Sequence, residues 1–107
     1  MEWNVIVYDK PGADRTSSRN QHVAEIPAKV NSGTVISGGA IYEDEQKTKF
    51  AGSAFHLRAN SREEVIEFLK SDVYYKQGVW DINSVIANPF GCAVRLPKKM
   101  EGVKAFE

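Results

Sequence analysis

Several ingredients are scarce in this 107-residue chain, and each scarcity excludes something. There is one cysteine, Cys92, so no disulfide can close within the chain and no cysteine-rich metal site can be built. A lone thiol suits a reducing compartment. The only histidines, His22 and His56, share no metal-ligand spacing with Cys92, and no metal is expected. Neither charge is in excess, because 14 Lys and Arg balance 14 Asp and Glu. Zero net charge removes any general attraction to nucleic acid or to an anionic membrane surface. No apolar run approaches the ~18 residues of a membrane span. The start, Met-Glu-Trp-Asn, has neither the basic nor the long apolar region of a secretory leader, and no Asn-x-Ser/Thr sequon occurs. These absences predict a cytoplasmic protein with no membrane and no nucleic-acid partner. Catalytic fingerprints are missing too. Gly38-Gly39 is no dinucleotide or phosphate loop, no Gly-x-Ser-x-Gly elbow occurs, and Ser53 carries no signal of a nucleophile.

What is present describes one ordinary folded domain, 42% hydrophobic and 26% charged. A chain of this length buries roughly 65% of its unfolded surface. Trp3–Asp9 reads as a strand with Trp3, Val5 and Val7 on one face and Ile6 and Tyr8 on the other, so both faces are apolar. A helical pattern follows from Thr16 to Ser32, with Val23, Ile26 and Val30 at helical spacing and Gly33 to end it. Arg15, Arg19, His22 and Ile26 fall along one side of that helix. Pro27 lies inside it and should kink or split it. Thr34–Tyr42 reads as a second strand, in which Gly38-Gly39 suggests a bulge or a close approach to the backbone. The charged segment Glu43–Lys49 lacks buried anchors, and Phe50–Arg58 reads as a third strand in a hairpin with the second. Ser61-Arg62-Glu63-Glu64 is a capping box that opens a second helix, with Val65, Ile66, Phe68 and Leu69 as its apolar face. Ile82–Ala87 is the fourth strand. The domain is expected to span 1–97, with 98–107 a polar C-terminal tail.

The order β-α-β-β-α-β is the α+β, ferredoxin-like arrangement: a four-stranded antiparallel sheet with both helices on one face. Two consequences follow. The start of the first helix and the end of the second fall at the same end of the sheet, so His22 and Asp72 can meet although fifty residues separate them. The helix-free face has no cover within the chain, yet strand 1 is apolar there, so a second copy or a ligand should cover it.

Arg19-x-x-His22, the Gly38-Gly39 strand, Gly52-Ser53, and Asp72-Val-Tyr-Tyr-Lys-Gln-Gly78-Val-Trp80 followed by Pro89-Phe90 resemble the YCII-related domain family in order and spacing. The resemblance covers roughly residues 3–95. It implies a dimeric α+β barrel, in which two ferredoxin-like sheets pack face to face, and an active-site cleft whose His–Asp pair maps onto His22 and Asp72. It further implies chemistry on ring-cleavage lactones and similar aromatic breakdown products. Val73 stands where bacterial members often carry proline, and Ala40 where a Gly-Pro is common; both bear on the shape of the cleft.

A His–carboxylate pair is a sensible acid/base unit, because the carboxylate fixes the imidazole tautomer and stabilises the imidazolium. The plainer alternative makes Asp72 a cap or turn former whose hydrogen bond to His22 only locks two helices. Arg19 suits a substrate carboxylate as a planar clamp, or else forms a surface ion pair. Tyr74 and Trp80 are candidate walls of an apolar pocket, and Gly38 and Gly39 candidate backbone contacts to a substrate. His56, between Phe55 and Leu57, reads as structural. The aromatics Phe50 and Phe55 miss the spacing of an RNA-binding sheet. The expectation is a cofactor-free homodimer carrying out lyase- or isomerase-type proton transfer on a small carbonyl-bearing molecule. The alternative is a non-catalytic small-molecule binding or dimerisation module of the same fold.

Overall fold

The computed structural model describes residues 1–106. Its elements are β1 (Glu2–Asp9), α1 (Thr16–Asn31), β2 (Val35–Tyr42), β3 (Phe50–Arg58), α2 (Arg62–Lys70), α3 (Val73–Lys76) and β4 (Trp80–Phe90), followed by a 3-10 turn at Lys104–Phe106. The strands form one antiparallel sheet in the order β2-β3-β1-β4. This is the expected ferredoxin-like α+β fold, with two differences. A one-turn helix, α3, stands where no element was expected, and β4 begins at Trp80 and runs through Pro89 to Phe90. Pro89 is tolerated there because β4 is an edge strand and loses no ladder bond on its outer side.

Alternation along β1 sets the two faces. Val5 and Val7 are fully buried and Trp3 nearly so, while Tyr8, on the other face, is 40% exposed. The core lies between the first face and the helices, where Leu57, Val65, Leu69 and Trp80 pack together. Ser61 caps α2 by accepting the Glu64 N–H at 3.2 Å. The Glu64 carboxylate reaches back one residue further than a capping box requires and accepts from the Asn60 N–H at 2.8 Å.

α1 departs from its expected amphipathic form. It buries Ser18 and His22, whereas Val23 is 41% exposed and Ile26 and Val30 are only half-buried. The helix also runs unbroken through Pro27. The carbonyl that Pro27 leaves without its helical donor belongs to Val23, a residue 41% exposed. The proline ring has a contact as well. Gly102 lies so close over it that a side-chain carbon there would stand 3.2 Å from Pro27 Cβ. Residues 100–106 therefore return to α1 instead of leading away. Asn31 Nδ2 donates to the Gly102 carbonyl at 3.0 Å, Lys104 N–H donates to Asn31 Oδ1 at 2.9 Å, and Val103 is buried.

The Glu43–Lys49 connection is exposed but organised around Asp44, whose carboxylate accepts from the Thr48 and Lys49 N–H groups and from the Thr48 hydroxyl. The irregularities in the β2 pairing flank the glycines, with register shifts between Val35 and Ser37 and between Ile41 and Tyr42, while Gly38 and Gly39 stay paired with Phe55 and Ala54. No helix among the described residues is long and apolar enough to cross a membrane.

Candidate active site

The segment after α2 builds the site. Asp72 is the N-cap of α3, with extended backbone, and its Oδ1 accepts the Tyr74 N–H at 2.9 Å. That cap turns the carboxylate toward α1. His22 Nδ1 lies 2.8 Å from Asp72 Oδ1 and 3.0 Å from Oδ2. Lys29, almost two turns further along α1, donates from Nζ to Oδ2 at 2.7 Å. Asp72 is 1% exposed. Burial pushes its carboxyl up, but hydrogen bonds from His22 and Lys29, then from the Tyr74 N–H, outweigh this and hold it below the ordinary 3.8. An ionised carboxylate only accepts, so the His22 Nδ1 carries the hydrogen, and in the neutral ring the lone pair is on Nε2. Nε2 has no hydrogen-bond partner, yet no buried side-chain nitrogen or oxygen among the described residues lacks one. It is therefore open to solvent.

Aromatic rings hold the imidazole in place. His22 stacks on Tyr74 with centroids 4.0 Å apart, and meets Trp80 edge-on at 5.9 Å. Trp80 in turn donates its indole N–H to Ser53 Oγ at 3.2 Å. A cleft of about 180 Å³ opens beside the pair. Arg15, Arg19, His22, Lys29 and Asp72 line it, as do Gly38, Gly39, Ala40, Phe50, Ser53, Phe55 and Tyr74.

Of the residues singled out from sequence, His22, Asp72, Arg19, Gly38, Gly39 and Tyr74 meet at this cleft. Trp80 does not line it. It lies behind His22, buried against Phe55 and Tyr74, and supports the wall. Gly38 makes room for a neighbour, since a side-chain carbon there would stand 2.8 Å from the Phe55 ring. Arg19 is exposed at the rim.

The buried arginine is Arg15, one turn earlier, which sequence reasoning passed over. Its Nε and Nη2 grip Asp9 at 3.1 and 2.6 Å, and Nη2 also reaches Ser53 Oγ at 3.4 Å. Its guanidinium is sandwiched between the Phe50 and Tyr74 rings at 4.7 and 4.6 Å. Helical spacing put Arg15 on the same side as Arg19 and His22, but only the sheet shows which arginine faces inward. Lys29 was missed as well. It lies seven residues after His22, the two-turn spacing that would have placed both on one face.

The sequence profile of the YCII-related domain matches residues 1–89. The chain belongs to that family. Within the YCII-related domain family it is similar to the aspercryptin biosynthesis cluster protein B of Emericella nidulans, with 29% identity over 106 aligned residues, 92% of this chain and 68% of that protein. Its fold is similar to that of a solved 5-chloro-2-hydroxyhydroquinone dehydrochlorinase from Burkholderia phenoliruptrix in complex with 2,5-dihydroxybenzoquinone. The TM-score is 0.67 at 21% identity, covering 85% of this chain and 94% of that one.

Proposed function

We propose that this YCII-related domain is a small-molecule enzyme in which His22 is the general base and Asp72 its orienting partner. The observation that carries this reading is the 2.8 Å contact of His22 Nδ1 with an ionised, buried Asp72, on the wall of a cleft sized for a small molecule. His22 Nε2 takes a proton from a C–H next to a carbonyl, and the C–H electron pair moves into the carbonyl group to form an enolate. The imidazolium that results is stabilised by Asp72. Return of the proton at another atom completes an isomerisation. Departure of a β-leaving group with its electron pair completes an elimination. A positioned acid/base of this kind contributes about 10²–10⁴-fold to rate. The substrate class is a carbonyl-bearing lactone or aromatic breakdown product, consistent with relatives named for dehydrochlorination and for a biosynthetic cluster.

The active form is proposed to be a homodimer joined through the helix-free sheet face. Tyr8 at 40% and Ile86 at 48% exposure are the apolar surface there. Light scattering checks the dimer, and a species of 11.9 kDa at micromolar concentration counts against it. The chemistry is checked with 5-chloro-2-hydroxyhydroquinone and related ring compounds as substrates. His22→Ala should lower kcat by at least about 10²-fold with the fold intact by circular dichroism. Turnover by the variant at the wild-type rate would end the general-base assignment.

A further inference from the structure

Two side chains of the cleft end in donors that no acceptor satisfies. Tyr74 is 1% exposed, and the neighbour of its hydroxyl is the Arg15 guanidinium, itself a donor, so the phenol hydrogen has no acceptor. No buried side-chain nitrogen or oxygen among the described residues is unsatisfied, so the small exposed remnant of Tyr74 includes its hydroxyl. Tyr74 is one of the side chains that line the cleft. Arg15 repeats the pattern. The side chain is 4% exposed, Asp9 and Ser53 occupy Nε and Nη2, and Nη1 is left without a partner. Its guanidinium carbon lies 4.6 Å from the Tyr74 ring centroid, so the guanidinium and the phenol are neighbours.

The carboxylate of the cleft is already engaged. Asp72 Oδ1 takes His22 Nδ1 and the Tyr74 N–H, and Oδ2 takes Lys29. Charge points the same way. Lys29 is balanced by Asp72 and Arg15 by Asp9, while Arg19, also on the cleft wall, has no carboxylate partner among the described residues. A cleft with unmet donors, a carboxylate already engaged and one uncompensated cation favours an anion.

We infer that the cleft binds a small monoanion, whose oxygen is held by the Tyr74 hydroxyl and Arg15 Nη1, with Arg19 supplying the balancing charge at the rim. The inference deepens the acid/base reading, and rests on it only in placing the bound oxygen where an enolate would develop beside His22. Tyr74 acts as a donor and not as a phenolate. Burial pushes its phenol above the ordinary 10.0, and the Arg15 and Arg19 charges offset only part of this.

The test uses two planar probes of nearly equal shape, benzoate and benzamide, titrated into the full chain at neutral pH and followed by NMR shifts of the His22 and Tyr74 signals. Benzoate should bind at least about tenfold more tightly than benzamide, the difference expected for hydrogen bonds to a charged partner. Tyr74→Phe keeps the ring stack and should lose about tenfold of the benzoate affinity alone. Arg15 variants risk the fold by stranding Asp9. Arg19→Gln, at an exposed position, is the second arm and should weaken benzoate several-fold while reducing its salt dependence. Equal affinity for both probes overturns the inference, as does no detectable benzoate binding or unchanged benzoate affinity in Tyr74→Phe. Failure of the general-base reading appears instead in turnover by His22→Ala, and leaves this binding difference untouched.

Discussion

α1 and α2 lie on the same face of the same sheet and bury opposite kinds of side chain. α2 buries Val65 and Leu69 completely, with Ile66 and Phe68 packed beside them. α1 buries a serine and a histidine and leaves Val23 in water. The first helix of the pair is held by ion pairs and directional bonds, the second by removal of apolar surface from water. Each fully buried aliphatic side chain contributes about 1.5–3 kcal/mol, whereas a buried ion pair returns little net of its desolvation cost. The difference also explains where the cleft is. Hydrophobic packing closes space, and α2 closes on the sheet. A helix fixed mainly through His22 and Lys29 to one carboxylate leaves room beneath it.

The comparison can be broken first at its strong side. Leu69→Ala should cost about 4 kcal/mol of unfolding free energy, within the range for emptying a fully buried leucine site. Urea denaturation followed by circular dichroism measures it, and a loss below 1 kcal/mol would mean that α2 is not held by packing.

On the polar side, Asp72→Ala strands His22 and Lys29 together. It should cost about 3 kcal/mol, the low end for a broken buried pair, because the Lys29 side chain is 19% exposed. The sign of the pH dependence follows from the lowered Asp72 pKa. The folded state binds fewer protons at this group than the unfolded state, so its contribution is complete above the ordinary 3.8 and is lost as pH falls through the lower folded value. Thermal melts between pH 6 and pH 2 should show a steeper acid loss for the wild type than for Asp72→Asn. Parallel curves would remove Asp72 from the acid transition.

The smallest expected effect sharpens the contrast within α1. Val23→Ser should change stability by no more than about 0.5 kcal/mol, because this apparent core position faces water. A loss of 2 kcal/mol would place Val23 in an interface, the one condition under which the amphipathic reading of α1 is restored.

Much of the fold was legible because strands and turns announce themselves locally. Period-two alternation marked β1, the Ser61 cap marked the start of α2, and the β-α-β-β-α-β order permitted few topologies. The third helix was not legible. A single turn carries too little periodicity, and its cause is an aspartate cap that reads equally well as a loop residue. α1 was misread on its apolar side because Val23 obeys helical spacing while facing water, and Ile26 and Val30 are only half-buried, with Val30 at the margin of the core. The return of the tail was not legible for a related reason, since one valine among charged residues gives no pattern, yet Val103 is buried and its neighbours Gly102 and Lys104 bond to Asn31 of α1.

The sequence by itself determined the family, the strand and helix order, and the pairing of one end of α1 with the segment after α2. These depend on short-range periodicity and on the handedness of connections, which the chain encodes locally. Only the tertiary structure decided which cations serve the cleft. Arg15 and Arg19 share a helix face, and nothing in their spacing separates them. The sheet separates them by putting Asp9 and Ser53 within reach of Arg15 and leaving Arg19 at the rim. Lys29 was decided in the same way, by a carboxylate 43 residues further along the chain. Long-range electrostatic partners have no sequence period, so they become visible only when folding has brought them together.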